Sequence, residues 1–192
     1  MSNENQKENQ KLISYLTFKL GEETFAANVS KVLNILEMTK ITEVPQAPPY
    51  MKGVINLRGS VLPVIDTKVK FSMGKTEFST NTCILVLEID IDQETIHVGA
   101  IVDSVQEVLE IEDAQIQPPP SIGTKYRSEF IEGMVKTDDE FIMVLDMDKV
   151  FSADELSLLK ESTPDKQEKQ DEDASKEDSK AAKEEKKETV NQ

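Results

Sequence analysis

The sequence predicts a mainly-β fold made of two similar small units, followed by an acidic tail. Short apolar runs rich in Val, Ile, Phe and Thr recur between turn signals from Leu12 to Met147, the pattern of strands. One such stretch, GVINLRGSVLPVID from Gly53 to Asp66, aligns without a gap with GMVKTDDEFIMVLD from Gly133 to Asp146. Beyond residue 160 the composition changes to one that cannot support a core.

Along the chain, residues 1–11 (MSNENQKENQK) have no apolar run and are expected to be disordered. The runs LISYLTFKL and TFAANV come next and read as strands. VSKVLNILEM carries apolar residues at mixed spacing, which fits a helical turn, a strand, or one followed by the other. A proline-rich connector, VPQAPP, leads into GVINL and VLPVID, which read as the arms of a hairpin. TCILVLEID and TIHVGAIV are two further strands. VDSVQEVLEI repeats the ambiguity and the apolar positions of VSKVLNILE, and again leads to prolines, QPPP. EGMVK and FIMVLDM make the second hairpin, and SADELSLLKE reads as a closing helix with Ser152 as N-cap and Glu155 as its box partner. Two repeats of about 70 residues are too small for sandwiches and suit two small barrels or rolled sheets side by side.

Residues 161–192 contain eleven Asp or Glu, seven Lys and no aromatic residue, so they are expected to be a solvated, disordered tail. Removing the tail's −4 from the whole-chain −15 leaves −11 on residues 1–160. Nucleic acid and anionic lipid are therefore poor partners. The single cysteine, Cys83, lies in an apolar run, and no window approaches the ~18 apolar residues of a membrane span, which together fit a cytosolic protein.

Residues suited to catalysis are few: one His, one Cys, no Trp, no Gly-rich phosphate loop and no metal-spaced ligand set. An enzymatic or small-molecule-binding barrel would need converging polar groups, and none is evident. His97 in TIHVGAIV fits a strand-face or edge position. Asp66, Asp103 and Asp146 each end an apolar run, as residues that accept hydrogen bonds from turn amides do. Arg58 is the informative residue. It precedes Gly59 at a turn where Asn or Asp is natural, presents five fixed donors to carboxylates on an otherwise acidic chain, and is replaced by Asp138 in the second repeat.

VPQAPPYMKGVINLRGSVLPVID and VGAIVDSVQEVLEIEDAQIQPPP, in that order, resemble two blocks of the CheW-type coupling proteins of chemotaxis, and the resemblance runs from about Tyr15 to Leu159. It implies a domain over 12–160 of two intertwined SH3-like, five-stranded β-barrel subdomains, with no catalytic activity and no cofactor. It also implies a cytoplasmic adaptor, recruited to membrane-associated arrays, that couples methyl-accepting chemoreceptor tips to the regulatory domain of the histidine kinase CheA. By matched position, the receptor-facing residues are Val32, Gly53, Arg58, Gly99 and Val108, with a helical hairpin docking between subdomains. The kinase-facing set is Ile41, Val44, Gln117, Ser121 and Ile122. Asn34 stands where the family commonly has a glutamate facing the turn arginine, so Arg58 is expected to be loosely held, with Glu37 or a receptor carboxylate as its partner. The alternative is a CheV-like regulator without its receiver domain, which residues 161–192 are unable to form.

Overall fold

A computed structural model describes residues 12–91, 93–119, 130–137 and 140–151. The N-terminal segment, the charged tail, the SADELSLLKE helix, Asp138, Ser121 and Ile122 lie outside the described residues. Among the described residues there are ten strands: β1 (Leu12–Leu20), β2 (Glu23–Asn28), β3 (Val32–Glu37), β4 (Met51–Leu57), β5 (Ser60–Asp66), β6 (Cys83–Ile91), β7 (Glu94–Val102), β8 (Ser104–Glu112), β9 (Ile131–Lys136) and β10 (Phe141–Leu145). One-turn helices α1 (Thr67–Lys70) and α2 (Met147–Val150) follow the two hairpins. Of the ambiguous segments, VSKVLNILEM is a 3-10 turn at Val29–Lys31 followed by β3, and VDSVQEVLEI is almost wholly β8.

The strands form two five-stranded sheets, ordered β8-β1-β2-β10-β9 and β3-β6-β7-β5-β4. Position for position, the orders are the same once β1 to β5 of the first repeat are matched with β6 to β10 of the second. The repeat is also exact in detail at the hairpins. Met51 pairs with Ile65 and Gly53 with Val64, skipping Lys52, while Ile131 pairs with Leu145 and Gly133 with Val144, skipping Glu132. Asp66 and Asp146 then cap α1 and α2 by accepting from Val69 N and Lys149 N.

The expectation of one barrel for each repeat, side by side, does not hold. Each sheet takes a hairpin from one repeat and three strands from the other. The cause is the length of two connectors. β2 ends at Asn28 opposite Tyr15, near the start of β1, whereas the strand in the position of β8 begins opposite Lys19, at the far end of β1. Reaching that place from Asn28 means about 14 Å along the sheet and about 10 Å across it, roughly 17 Å in all, while the Val29–Lys31 link spans at most about 14 Å. The second link is shorter still. β7 ends with Val102 opposite Cys83, a strand in the position of β3 begins opposite Leu87, and only Asp103 stands between β7 and β8. With both closures out of reach, the chain crosses to the other sheet at each link.

Three cores result. Tyr15, Ala26, Ile111, Val135, Ile142 and Val144 fill the first sheet, and Ile55, Leu62, Val64, Ile84, Val86 and Ile101 fill the second. The largest core lies between the sheets, with Phe18, Phe25, Leu85, Leu87, Val98, Leu145 and Phe151 among its members. β6 explains its own composition: Cys83, Leu85, Leu87 and Ile89 face the shared core while Ile84 and Val86 face the inner one, so the run TCILVLEI is apolar on both sides. Cys83 is a buried free thiol whose pKa burial pushes up.

Ion pairs brace the crossings. Lys31 Nζ lies 2.8 Å from Asp90 and 2.9 Å from Asp148 in α2, and Asp148 also accepts from Asp90 N at 2.9 Å. Burial works against the charged lysine, but these hydrogen bonds outweigh it and raise its pKa. At the other crossing Lys68 of α1 lies 3.3 Å from Asp103, which accepts from Gly21 N at 2.6 Å. Glu140 accepts from Lys19 Nζ at 2.9 Å and from Thr24 Oγ1 at 2.8 Å.

Gly53 and Gly133 occupy equivalent close approaches. A Cβ on Gly53 would collide with Thr42 O, and one on Gly133 with Ile116 Cγ2 and Gln117 O, because each proline connector crosses there in an isolated bridge, Thr42 to Val54 and Gln117 to Met134. Gly53→Ala is expected to lower stability by about 2–4 kcal/mol and Gly133→Ala by about 1–3 kcal/mol, measured by denaturant unfolding.

The hydrogen bonds of Asp90 with Lys31 and Thr95, and of Glu140 with Lys19 and Thr24, hold both carboxyls below their ordinary pKa. Their stabilisation is complete above about pH 5, beyond the ordinary unfolded values, and is lost as the pH falls through their lowered folded values. Glu132 has the opposite sign, raised by burial and then by Asp146. Glu132→Gln should therefore stabilise the fold at neutral pH and make no difference in acid, as read from denaturation midpoints across that range.

Candidate functional site

The residues singled out from the sequence fall into two classes, framework and surface. β3 and β8 occupy matching ends of the two sheets, so among the described residues each has an edge without a strand partner. On β8, Val108 lies opposite Leu16, and on β3, Val32 lies opposite Leu87 and Ile35 opposite Leu85. Directly opposed residues share a face, and Leu16, Leu85 and Leu87 all belong to the core between the sheets. The edges thus carry the shared core out to the surface: Val32 packs against it, while Val108 is 54% and Ile35 45% exposed. Leu33, skipped in the pairing of β3 with β6, adds a further exposed apolar side chain.

Arg58 caps the β4–β5 hairpin. Leu57 pairs with Ser60, leaving Arg58 and Gly59 as a two-residue loop with φ of 54° and 94°, as a type I′ turn requires. An arginine there occupies a left-handed backbone that Asn or Gly adopts more easily, a cost of order 1 kcal/mol that the fold tolerates for its side chain. Gly59 N donates to Asn56 Oδ1 at 2.9 Å, which ties the turn without help from the guanidinium. Among the described residues Arg58 makes no ion pair. Asn34 does not reach out to it, because its Oδ1 accepts from Ile35 N at 2.8 Å.

The two glycines of the receptor-facing set behave differently from the expectation that they leave room for a helix. Gly53 is buried beneath Ile41 and Thr42. Gly99 is buried in β7, where a Cβ would stand 2.9 Å from Ile84 Cγ2 and 3.3 Å from Val64 Cγ2. In both cases the vacant volume is filled by this chain's own atoms, so they shape the second sheet and present nothing to a partner. Of the kinase-facing set, Ile41 packs on the inner core of the second sheet and Val44 on the shared core, both half-buried, while Gln117 is exposed and bridges Met134 through its backbone.

Two readings of side chains outside this surface match the structure, those of His97 and of the three strand-end aspartates. His97 is on a strand face opposite Glu88, with Nε2 3.6 Å from the carboxylate. Asp66, Asp103 and Asp146 accept from the amides of Val69, Gly21 and Lys149. Among the described residues no group of three or more His, Cys, Asp and Glu converges to hold a metal, and no helix is long and apolar enough to cross a membrane. What the sequence reading passed over are exposed apolar residues: Leu33, Ile35, and the pair Val61 and Phe141, which occupy equivalent places just after the two hairpin turns. Alternation within a strand assigned only as apolar gives no sign of which faces remain bare, so edge position was the missing information.

Residues 14–155 match the family model of the CheW-like domain. The chain is 33% identical to a chemotaxis protein CheW of Rhizobium meliloti over 140 residues, 73% of this chain and 88% of that protein. It is 32% identical to a chemotaxis protein CheW of Klebsiella aerogenes over 145 residues, 76% of this chain and 85% of that one. Its fold is similar to the crystal structure of the scaffolding protein TtCheW from Thermoanaerobacter tengcongensis, with a TM-score of 0.66 and 32% identity, covering 78% of this chain and 94% of that one.

A double-mutant cycle between Arg58 and Glu37 in the free protein is expected to give a coupling below about 0.5 kcal/mol, measured by denaturant unfolding of Arg58→Ala, Glu37→Ala and the double variant.

Proposed function

The chain belongs to the CheW-like domain family, and from that premise we propose that it is a chemotaxis adaptor joining the cytoplasmic tips of chemoreceptors to the regulatory domain of a CheA-type histidine kinase. It turns over no substrate. Its place is the cytoplasmic side of membrane-associated receptor arrays, held there by those two partners. The observation that supports this reading best is the apolar surface of β3 and β8, where side chains continuous with the inter-sheet core remain exposed. A receptor tip is a helical hairpin, and an amphipathic helix laid on Val32, Ile35 and Val108 would remove apolar area from water at about 25 cal/mol per Å². Arg58, without an ion pair among the described residues, supplies the polar anchor for a receptor carboxylate. Gly53 and Gly99 belong to the scaffold beneath this surface. For the kinase the candidates are the connector residues Ile41, Val44 and Gln117, with Ser121 and Ile122 in the same connector as Gln117.

Reconstitution tests the reading directly. The protein, a receptor cytoplasmic fragment and the kinase should form a ternary complex in which kinase autophosphorylation responds to receptor only when the protein is present. An unchanged phosphorylation rate on its omission would remove the function. Val108→Asp and Arg58→Glu, each shown to be folded by circular dichroism and melting, are expected to weaken receptor binding at least about ten-fold, or ~1.4 kcal/mol. Wild-type affinity in both would displace the receptor surface from β3 and β8.

A further inference from the structure

The two crossings are braced by ion pairs of opposite polarity. At the first crossing the base is on the link and the acid on the helix of the other repeat: Lys31 contacts Asp148 of α2 at 2.9 Å, with Asp90 alongside. At the second the acid is on the link and the base on the helix: Asp103 contacts Lys68 of α1 at 3.3 Å. Lys68 and Asp148 are equivalent positions, each two residues beyond the aligned Asp66 and Asp146. Asp103 and Lys31 come from equivalent links, one residue apart in register. The first repeat is thus basic at both clamp positions and the second acidic at both.

That pattern matters because neither repeat is able to close on itself. The links are too short, so each repeat must complete its sheets with a second repeat, as a subunit does in a strand-exchanged dimer. In one chain the complement is the other repeat. In a concentrated solution of unfolded or partly folded chains, the same repeat of another copy offers the same strands in the same order. Joining two first repeats would set Lys31 against Lys68, and joining two second repeats would set Asp103 against Asp148. Like charges at both clamps disfavour each homotypic union, while the union of unlike repeats satisfies both.

We propose that the inverted polarity of the Lys31–Asp148 and Asp103–Lys68 clamps is a selection device that makes first and second repeats pair with one another and suppresses strand exchange between like repeats of two copies of this chain. The clamps then contribute discrimination beyond their contribution to stability. Their partial burial supports this use: side-chain exposures of 23% and 34% for Lys31 and Asp148, and 13% and 21% for Lys68 and Asp103, leave each charge in an environment less screened than open water. Asp90 N and Gly21 N donate to the two acids, which fixes the carboxylates at the crossings.

The test inverts the clamps by halves, in the full-length chain. Lys31→Asp with Asp148→Lys, made together with Asp90→Asn so that the acid at position 31 does not face a second carboxylate, keeps both clamps attractive but gives each repeat one clamp base and one clamp acid, so that unions of like repeats become attractive too. Refolded from denaturant at high protein concentration and sized by chromatography with light scattering, this variant should yield about ten-fold more dimer and higher oligomer than wild type. Adding Lys68→Asp and Asp103→Lys restores the pattern with all signs reversed, and the oligomer fraction should return to the wild-type level. An oligomer fraction in the first variant equal to wild type overturns the proposal. So does an equal excess in both variants, which would assign the clamps to stability alone. Should either variant fail to fold, the wild type decides. Raising NaCl from about 0.1 M to 1 M shortens the screening length from about 10 Å to 3 Å, and oligomer formed on refolding should increase. No increase with salt overturns the device.

Discussion

Two short connectors govern this molecule. The link after β2 has three residues and the link after β7 has one, and neither lets a hairpin return to the strands of its own repeat. Everything else in the architecture follows from that inability. The chain must change sheets twice, each sheet is assembled from both repeats, and the faces left over between them become the largest core. Such a core is not an interface between finished domains that happen to touch. It is made by the same strands that close the two inner cores, and because each sheet draws on both repeats the repeats cannot separate without losing strand pairs as well as apolar contacts.

The proposed partner surface is a consequence of the same crossing. Each time the chain changes sheets it begins an edge strand, β3 after the first crossing and β8 after the second. The face of an edge strand that points toward the other sheet is covered near the crossing, where Val32 and Val105 pack on the shared core, and uncovered beyond it, where Ile35 and Val108 are exposed. Apolar residues that would be core in a deeper sandwich are therefore available to another molecule.

Much of this was legible before any coordinates, though unevenly. The strand runs, the gapless hairpin alignment from Gly53 to Asp66 and the capping role of Asp66 and Asp146 all rest on local chemistry, and local chemistry is written in consecutive residues. The strand runs alone do not say which repeat supplies which sheet, because distance along a strand and the span of a link enter only once pairing registers are known. The glycines failed for a related reason. Gly53 and Gly99 look like openings in a one-dimensional reading, and only the packed structure shows Thr42 and Ile84 filling them. The exposed residues Ile35 and Leu33 were missed because exposure at an edge depends on which strands are absent beside it.

The exchange of strands also orders the birth of the fold on the ribosome. The sheet β3-β6-β7-β5-β4 is contiguous in the chain, so all its strands exist once Val102 has been made. The other sheet is split: the β1–β2 hairpin emerges first but has no parallel neighbour until β10 is complete at Leu145. For the whole interval the N-terminal hairpin, with Phe18 and Phe25 destined for the shared core, must wait on the sheet already formed or on a chaperone. A chain interrupted between β8 and β9 would carry one finished sheet and one with β8, β1 and β2 but without its β9–β10 hairpin.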